Sequence, residues 1–114
     1  TYAAPWEWWF GCSAASLEAT LKINGFDQRF DGDKMLLDCD FGSRLQLAGY
    51  KFGLSRNLFM VRLRNDRFVW ERSKVNNEPP TSKCNHGRIW IARYLGEFRA
   101  NARKITDEDI KWIK

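Results

Sequence analysis

Arg88-Ile89-Trp90-Ile91-Ala92-Arg93-Tyr94-Leu95 decides the fold: its β-branched and aromatic side chains read as a strand, with a turn at Gly96-Glu97 into a return segment over Phe98 to Ile105. Read so, the second half of the chain is a sheet. Upstream, Leu58 to Leu63 and Arg67 to Glu71 are also rich in β-formers and flank Asn65-Asp66, a pair suited to a tight hairpin turn. Phe59, Val61 and Leu63 then share one face by the period of two. Ser73 to Asn85 carries Asn76-Asn77 and Pro79-Pro80 and reads as a long loop that delivers the chain to His86. Downstream, Thr106 caps a last helix whose first turn, Asp107-Glu108-Asp109, suits the helix dipole and whose Ile110 and Ile113 dock it.

The first half reads as helical and mixed. Phe10, Ala14, Leu17 and Leu21 recur at steps of four, three and four, which predicts an amphipathic helix to Lys22, ended by Asn24-Gly25. Glu18 and Lys22 support it as an i,i+4 pair. Asp27 to Asp40 is acidic and reads as a loop plus a short element around Met35-Leu36-Leu37; Arg44 onward favours a short helix ending near Gly49. The element order predicts one α+β domain over residues 1–114, with an N-terminal helix, an antiparallel sheet of about three to five strands and a short C-terminal helix.

Composition narrows the class. At 114 residues, 44% hydrophobic and 29% charged, the chain has the make-up of an ordinary globular domain, with a high aromatic share of 15%. No apolar run is long enough to span a bilayer, so no membrane partner is expected. The numbered chain begins at Thr1, which fits a processed product or an excised domain. Cys12, Cys39 and Cys84 cannot all pair within one chain and none stands in a CxxC arrangement, which points to a reducing, cytoplasmic compartment. With a single histidine and no paired ligand spacing, neither a structural zinc nor any other cofactor is expected.

The net charge of +5 is uneven. Residues 1–57 carry six Lys/Arg against seven Asp/Glu, whereas residues 58–104 carry eleven against four. Arg62, Arg64, Arg67, Arg72, Arg88 and Arg93 are interleaved with Phe68, Trp70, Trp90 and Tyr94, a pattern in which arginines engage phosphates and exposed aromatics stack on bases. Nucleic acid is one expected partner.

A second chemistry starts at Cys12. A cysteine opening a helix sits beside unpaired N–H groups and the positive end of the dipole, which favour thiolate over thiol. Thiol hydrolases add an imidazole to move the proton and often a third polar group to orient it, and this chain supplies His86 and Asn101. Gly11-Cys12-Ser13-Ala14-Ala15-Ser16-Leu17-Glu18 resembles the cysteine-bearing helix start of papain-like peptidases, including compact viral and bacteriocin-processing types. The resemblance implies Cys12 as nucleophile, His86 heading a strand as base and then acid, Asn101 as its orienter, and a polypeptide substrate for acyl transfer. Trp6 and Glu7 occupy positions where that family often places a glutamine, and no tryptophan follows the cysteine.

Other readings use other residues. Asp38 and Asp40, two apart on an expected strand and joined by Glu18, would share a divalent cation in a metal-dependent nuclease. Gly96-Glu97 through Ile110 resembles the stretch that introduces a small helix-turn-helix in some phage homing endonucleases, which implies a phage or mobile-element relation. Trp6, Trp8, Trp9 and Phe10 would serve as the anchor of a small protein-interaction or inhibitor module.

Overall fold

The computed structural model describes residues 2–9, 12–30, 36–58, 61, 80–107 and 110, with the backbone alone for 80–84. Helices and a small antiparallel sheet make an α+β arrangement. β1 (Tyr2–Ala4) pairs antiparallel with β2 (Phe52–Leu54), Tyr2 opposite Leu54 and Ala4 opposite Phe52. The helices whose bounds lie within the described residues are α1 (Leu17–Lys22), α2 (Leu37–Leu47) and α3 (Pro80–Leu95), with single 3-10 turns at Trp6–Trp8 and Gln28–Phe30 and helical backbone again at Asp107 and Ile110. The expected hairpin over 58–71 falls almost wholly outside the described residues.

Arg88 to Leu95 is the main correction, because it forms the second half of α3 and not a strand. The helix also takes in Pro80 to Asn85, expected as loop. Proline at a first helical position costs nothing, since its missing N–H would have had no intrahelical partner there. Asn85, Ile89 and Ala92 then fall on one buried flank at helical spacing, and packing against α2 outweighs the β preference of isoleucine and tryptophan. The expected return strand after Gly96 is a series of turns, with Asn101 at φ 58°. At the chain end, Ile110 N–H bonds Thr106 O at 3.0 Å, as a helix begun by Thr106 requires.

α1 is shorter than its pattern predicts and turned differently. Ser16, not a residue near Cys12, caps it by accepting the Ala19 N–H at 3.1 Å. Leu17 and Leu21 are exposed while Ala19 and Ile23 are buried. Asn24 and Gly25 do end it, both at positive φ.

α2 is the hub. Asp40, Phe41, Gly42, Ser43, Arg44 and Leu45 are all buried, so the middle of the helix is enclosed on every side while Asp38 and Gln46 near its ends are exposed. It follows Leu36, held at φ 71°, and stops just before Gly49 at φ 98°. One apolar cluster joins Ala19, Ile23, Phe41 and Leu45; a second joins Trp6, Phe30 and Ile89. Gly42 lets the Trp6–Trp9 turn lie on α2, because a Cβ there would stand 2.5 Å from the Trp9 Cβ.

Candidate functional site

Arg44 is the centre of a buried polar cluster and is only 1% exposed. Its Nε donates to Asp40 Oδ2 at 2.8 Å, one turn back on α2, and its NH2 donates to Asp27 Oδ2 at 3.0 Å. Its NH1 donates to the carbonyls of Glu97 at 3.1 Å and Arg99 at 2.9 Å. Arg29 closes the cluster through a two-pronged pair with Asp27. One guanidinium thereby fastens α2 to the chain after α1 and to the turns after α3. Such a group is costly to bury and is held because its donors find partners.

The two carboxylates diverge electrically. Burial would lift Asp27, but the hydrogen bonds and charge of Arg29, with Arg44 behind, hold it below the ordinary carboxylate value. Burial dominates at Asp40 and raises it, with only partial relief from Arg44. Asp40 Oδ1 has no hydrogen-bond partner among the described residues, which fits the weaker stabilisation of its charged form.

The residues expected to perform acyl transfer lie in separate settings. Cys12 is exposed in a turn five positions before α1, so no helix start lies behind its sulfur. His86 is exposed and lies within α3 instead of heading a strand. Asn101 is a structural tie: its Oδ1 accepts the Gln28 N–H at 2.8 Å and its Nδ2 donates to Phe26 O at 2.8 Å. Among the described residues no hydrogen bond joins any two of these three. Cys39 is half-buried, and burial together with Asp38, Asp40 and Glu7 pushes its thiol up to about 11, which keeps it protonated at neutral pH.

The carboxylates expected to share a cation are also parted. Asp38 and Asp40 lie on a helix, where two positions are roughly 200° of rotation, so one is exposed and the other is bound to Arg44. Among the described residues no group of three or more potential ligands could hold a metal ion.

Of the expected nucleic-acid contacts, Arg62, Arg64, Arg67 and Arg72 lie outside the described residues. Arg88 is turned inward, donating to Asn85 Oδ1 at 2.8 Å and Arg29 O at 3.1 Å. Arg93 donates to Ser43 Oγ at 2.9 Å and Gln46 Oε1 at 2.7 Å, and its guanidinium lies 4.4 Å from the Trp6 ring centre. Trp90 is 60% exposed and meets Trp6 edge-on at 6.3 Å. The expected aromatic anchor divides likewise: Trp6 is core, Trp9 stacks on Phe41, Trp8 is exposed, and Phe10 is outside the described residues.

What the sequence does not reveal is the outward flank of α3. Trp90, Ile91, Tyr94 and Leu95 are 60%, 54%, 90% and 52% exposed and, together with Arg93, line a shallow, open hollow of about 640 Å³. Opposite them, Ile89 and Ala92 are buried, so the last turns of the helix are apolar on both sides. Apolar residues on two faces, with Arg88 and Arg93 between them, leave one apolar face in water. Helical spacing is the available signal: positions 90, 91, 94 and 95 form one stripe once the stretch is wound as a helix.

The site so defined belongs to a small α+β chain with an enclosed ionic centre and an uncovered helix flank. No family model matches this chain, no curated protein matches it, and no solved structure matches it. Among the described residues no helix is long and apolar enough to cross a membrane.

Proposed function

We propose that this chain is a small protein-interaction module that docks through the outward flank of α3. The observation that carries the reading is the exposure of Trp90, Ile91, Tyr94 and Leu95 together on one stripe. Tryptophan and tyrosine are favoured interface anchors, and these two stand about one helical turn apart. The four side chains leave roughly 500 Å² of surface in water, within the range of the largest apolar patch on an ordinary monomer, which is often a functional one.

Inward engagement of Arg88 and Arg93 supports a protein partner over nucleic acid, because these two described arginines of the helix are committed within the fold. The acyl-transfer reading has an accessible thiol at Cys12 but no imidazole joined to it among the described residues. The test is a photo-reactive phenylalanine analogue placed at Tyr94, with Leu17, another exposed apolar residue, as the control position. In cells the Tyr94 position is expected to give discrete protein adducts that Leu17 does not. Adducts to nucleic acid, or equal yields from the two positions, would overturn the reading.

A further inference from the structure

We propose that a second site, which does not rest on the docking reading above, binds a small organic cation made of an aromatic ring and a primary ammonium on a short chain. The site is a hollow of about 380 Å³ beside the start of α2, whose lining includes Trp9, Ser13, Thr20, Phe26, Asp38 and Phe41. Its volume falls within the range of about 300–1,000 Å³ typical of ligand pockets. Three aromatic rings form one wall. Phe41, 5% exposed, lies 5.5 Å from Trp9 and 4.6 Å from Phe26 between ring centres, with 30° and 33° between the planes. Aromatic pairs favour such offset spacings. Phe26 is 53% exposed, so this run of rings ends in one that is still open to a further ring.

The charge of the lining selects a cation. Asp38 is the acidic side chain among its described residues, none of which is basic, and it is exposed. Its Oδ1 accepts the Cys39 N–H at 2.8 Å, and the Cys39 thiol is a further neighbour. Neither carries a positive charge. Asp27, Asp40 and Glu97 each hold an arginine, whereas Asp38 has no basic partner at salt-bridge distance among the described residues. Glu7 lies close enough to act on the same thiol, which adds a second acidic group to this neighbourhood.

The surrounding chain has the same sign. Residues 1–50, which supply every described residue of the lining, carry four Lys/Arg against seven Asp/Glu, whereas residues 51–114 carry fifteen against seven. Of those four, Arg29 and Arg44 are paired with Asp27 and Asp40, and Lys22 donates to Ala48 O and lies over the Tyr50 ring. The Debye length is about 10 Å at 0.1 M salt, so a small ligand responds to this local balance more than to the net charge of +5. A hydrogen bond from an ammonium N–H to a carboxylate is roughly twice as strong as a neutral one. Thr20 Oγ1 donates to Ser16 O at 3.0 Å, which leaves its own lone pairs as an acceptor on the rim for another N–H. A ligand with a ring at one end and a primary ammonium at the other matches both the wall and the rim.

The experiment is a titration of 2-phenylethylammonium chloride into the full chain at low salt, followed by two-dimensional amide NMR, on the wild type, Asp38→Asn, Asp107→Asn and Phe26→Leu. Butylammonium and 2-phenylethanol are titrated in parallel, because the first lacks the ring and the second lacks the charge. The expected result is a saturable shift of amide signals from the lining, those of Thr20, Phe26 and Asp38 among them. Asp38→Asn should weaken binding about ten-fold. Asp107→Asn makes the same change in net charge outside the described lining and should bind like the wild type. Phe26→Leu, butylammonium and 2-phenylethanol should each bind several-fold more weakly. The spectra also report that the variants are folded, as expected because Asp38 and Phe26 are exposed. Absence of a saturable shift, an affinity unchanged in Asp38→Asn, or 2-phenylethanol binding as tightly as the ammonium overturns the proposal.

Discussion

The interior around Arg44 and the outward flank of α3 invert the usual distribution of side chains. Arg44, with a permanent charge, is 1% exposed; Tyr94, with a large ring, is 90% exposed. The difference shows which groups already have partners. Arg44 is enclosed by two carboxylates and two carbonyls supplied from three separate parts of the chain, whereas the flank of α3 has its apolar atoms facing water. By this comparison the first region holds the fold together and the second leaves apolar surface in water.

The largest effect that sharpens the contrast is expected at Arg44. Arg44→Met removes four hydrogen bonds and leaves Asp27 and Asp40 buried with less cationic charge, a loss of about 3–5 kcal/mol in urea unfolding. A loss below about 1 kcal/mol would break the comparison, since the cluster would then not be holding the segments together.

A smaller effect comes from acid. Asp27 is depressed in the folded chain, so its stabilising contribution is complete above its unfolded value of about 3.9 and is lost as the pH falls through its lower folded value. Asp40 is raised, so its ionised form weakens the fold above its folded pKa, and protonation on the way down relieves that cost. Asp27→Asn is expected to lower the urea midpoint at pH 7 and to flatten the further fall between pH 4 and pH 2. A variant with the wild-type acid slope would show that Asp27 is not the group responsible.

The smallest expected effect lies outside. Tyr94→Ser should change the stability of the dilute monomer by no more than about 0.5 kcal/mol, because the ring is 90% exposed. A loss of about 2 kcal/mol or more would mean that the flank is folding surface, and the division into a holding region and a binding region would fail.

Parts of this arrangement are legible in the order of residues alone. Asn24-Gly25 ends α1 and Gly49 follows α2 because left-handed backbone is a local requirement that few residues meet. The α+β class is legible too, although the sheet has two short strands among the described residues and one of them, Tyr2–Ala4, carries no strong strand signal. Arg88 to Leu95 misleads because its β-favouring residues have the composition of a strand, while the helix that contains them begins upstream at Pro80. The candidate site is hidden for the same reason. Trp90 and Tyr94 are visible as aromatics near basic residues, but whether they face the core depends on the period with which the chain is wound.

By itself the sequence determined the turns, the caps, the basic excess and the supply of aromatic side chains, all of which follow from the chemistry of neighbours within a few positions. Tertiary structure alone decided that Asp27, Asp40 and Arg44 meet, that Asn101 ties down the chain near Phe26, and that Ile89 is inside while Trp90 is outside. Contacts between residues 17 to 75 positions apart depend on how whole elements pack, and packing energies of several kcal/mol outweigh local preferences of less than one.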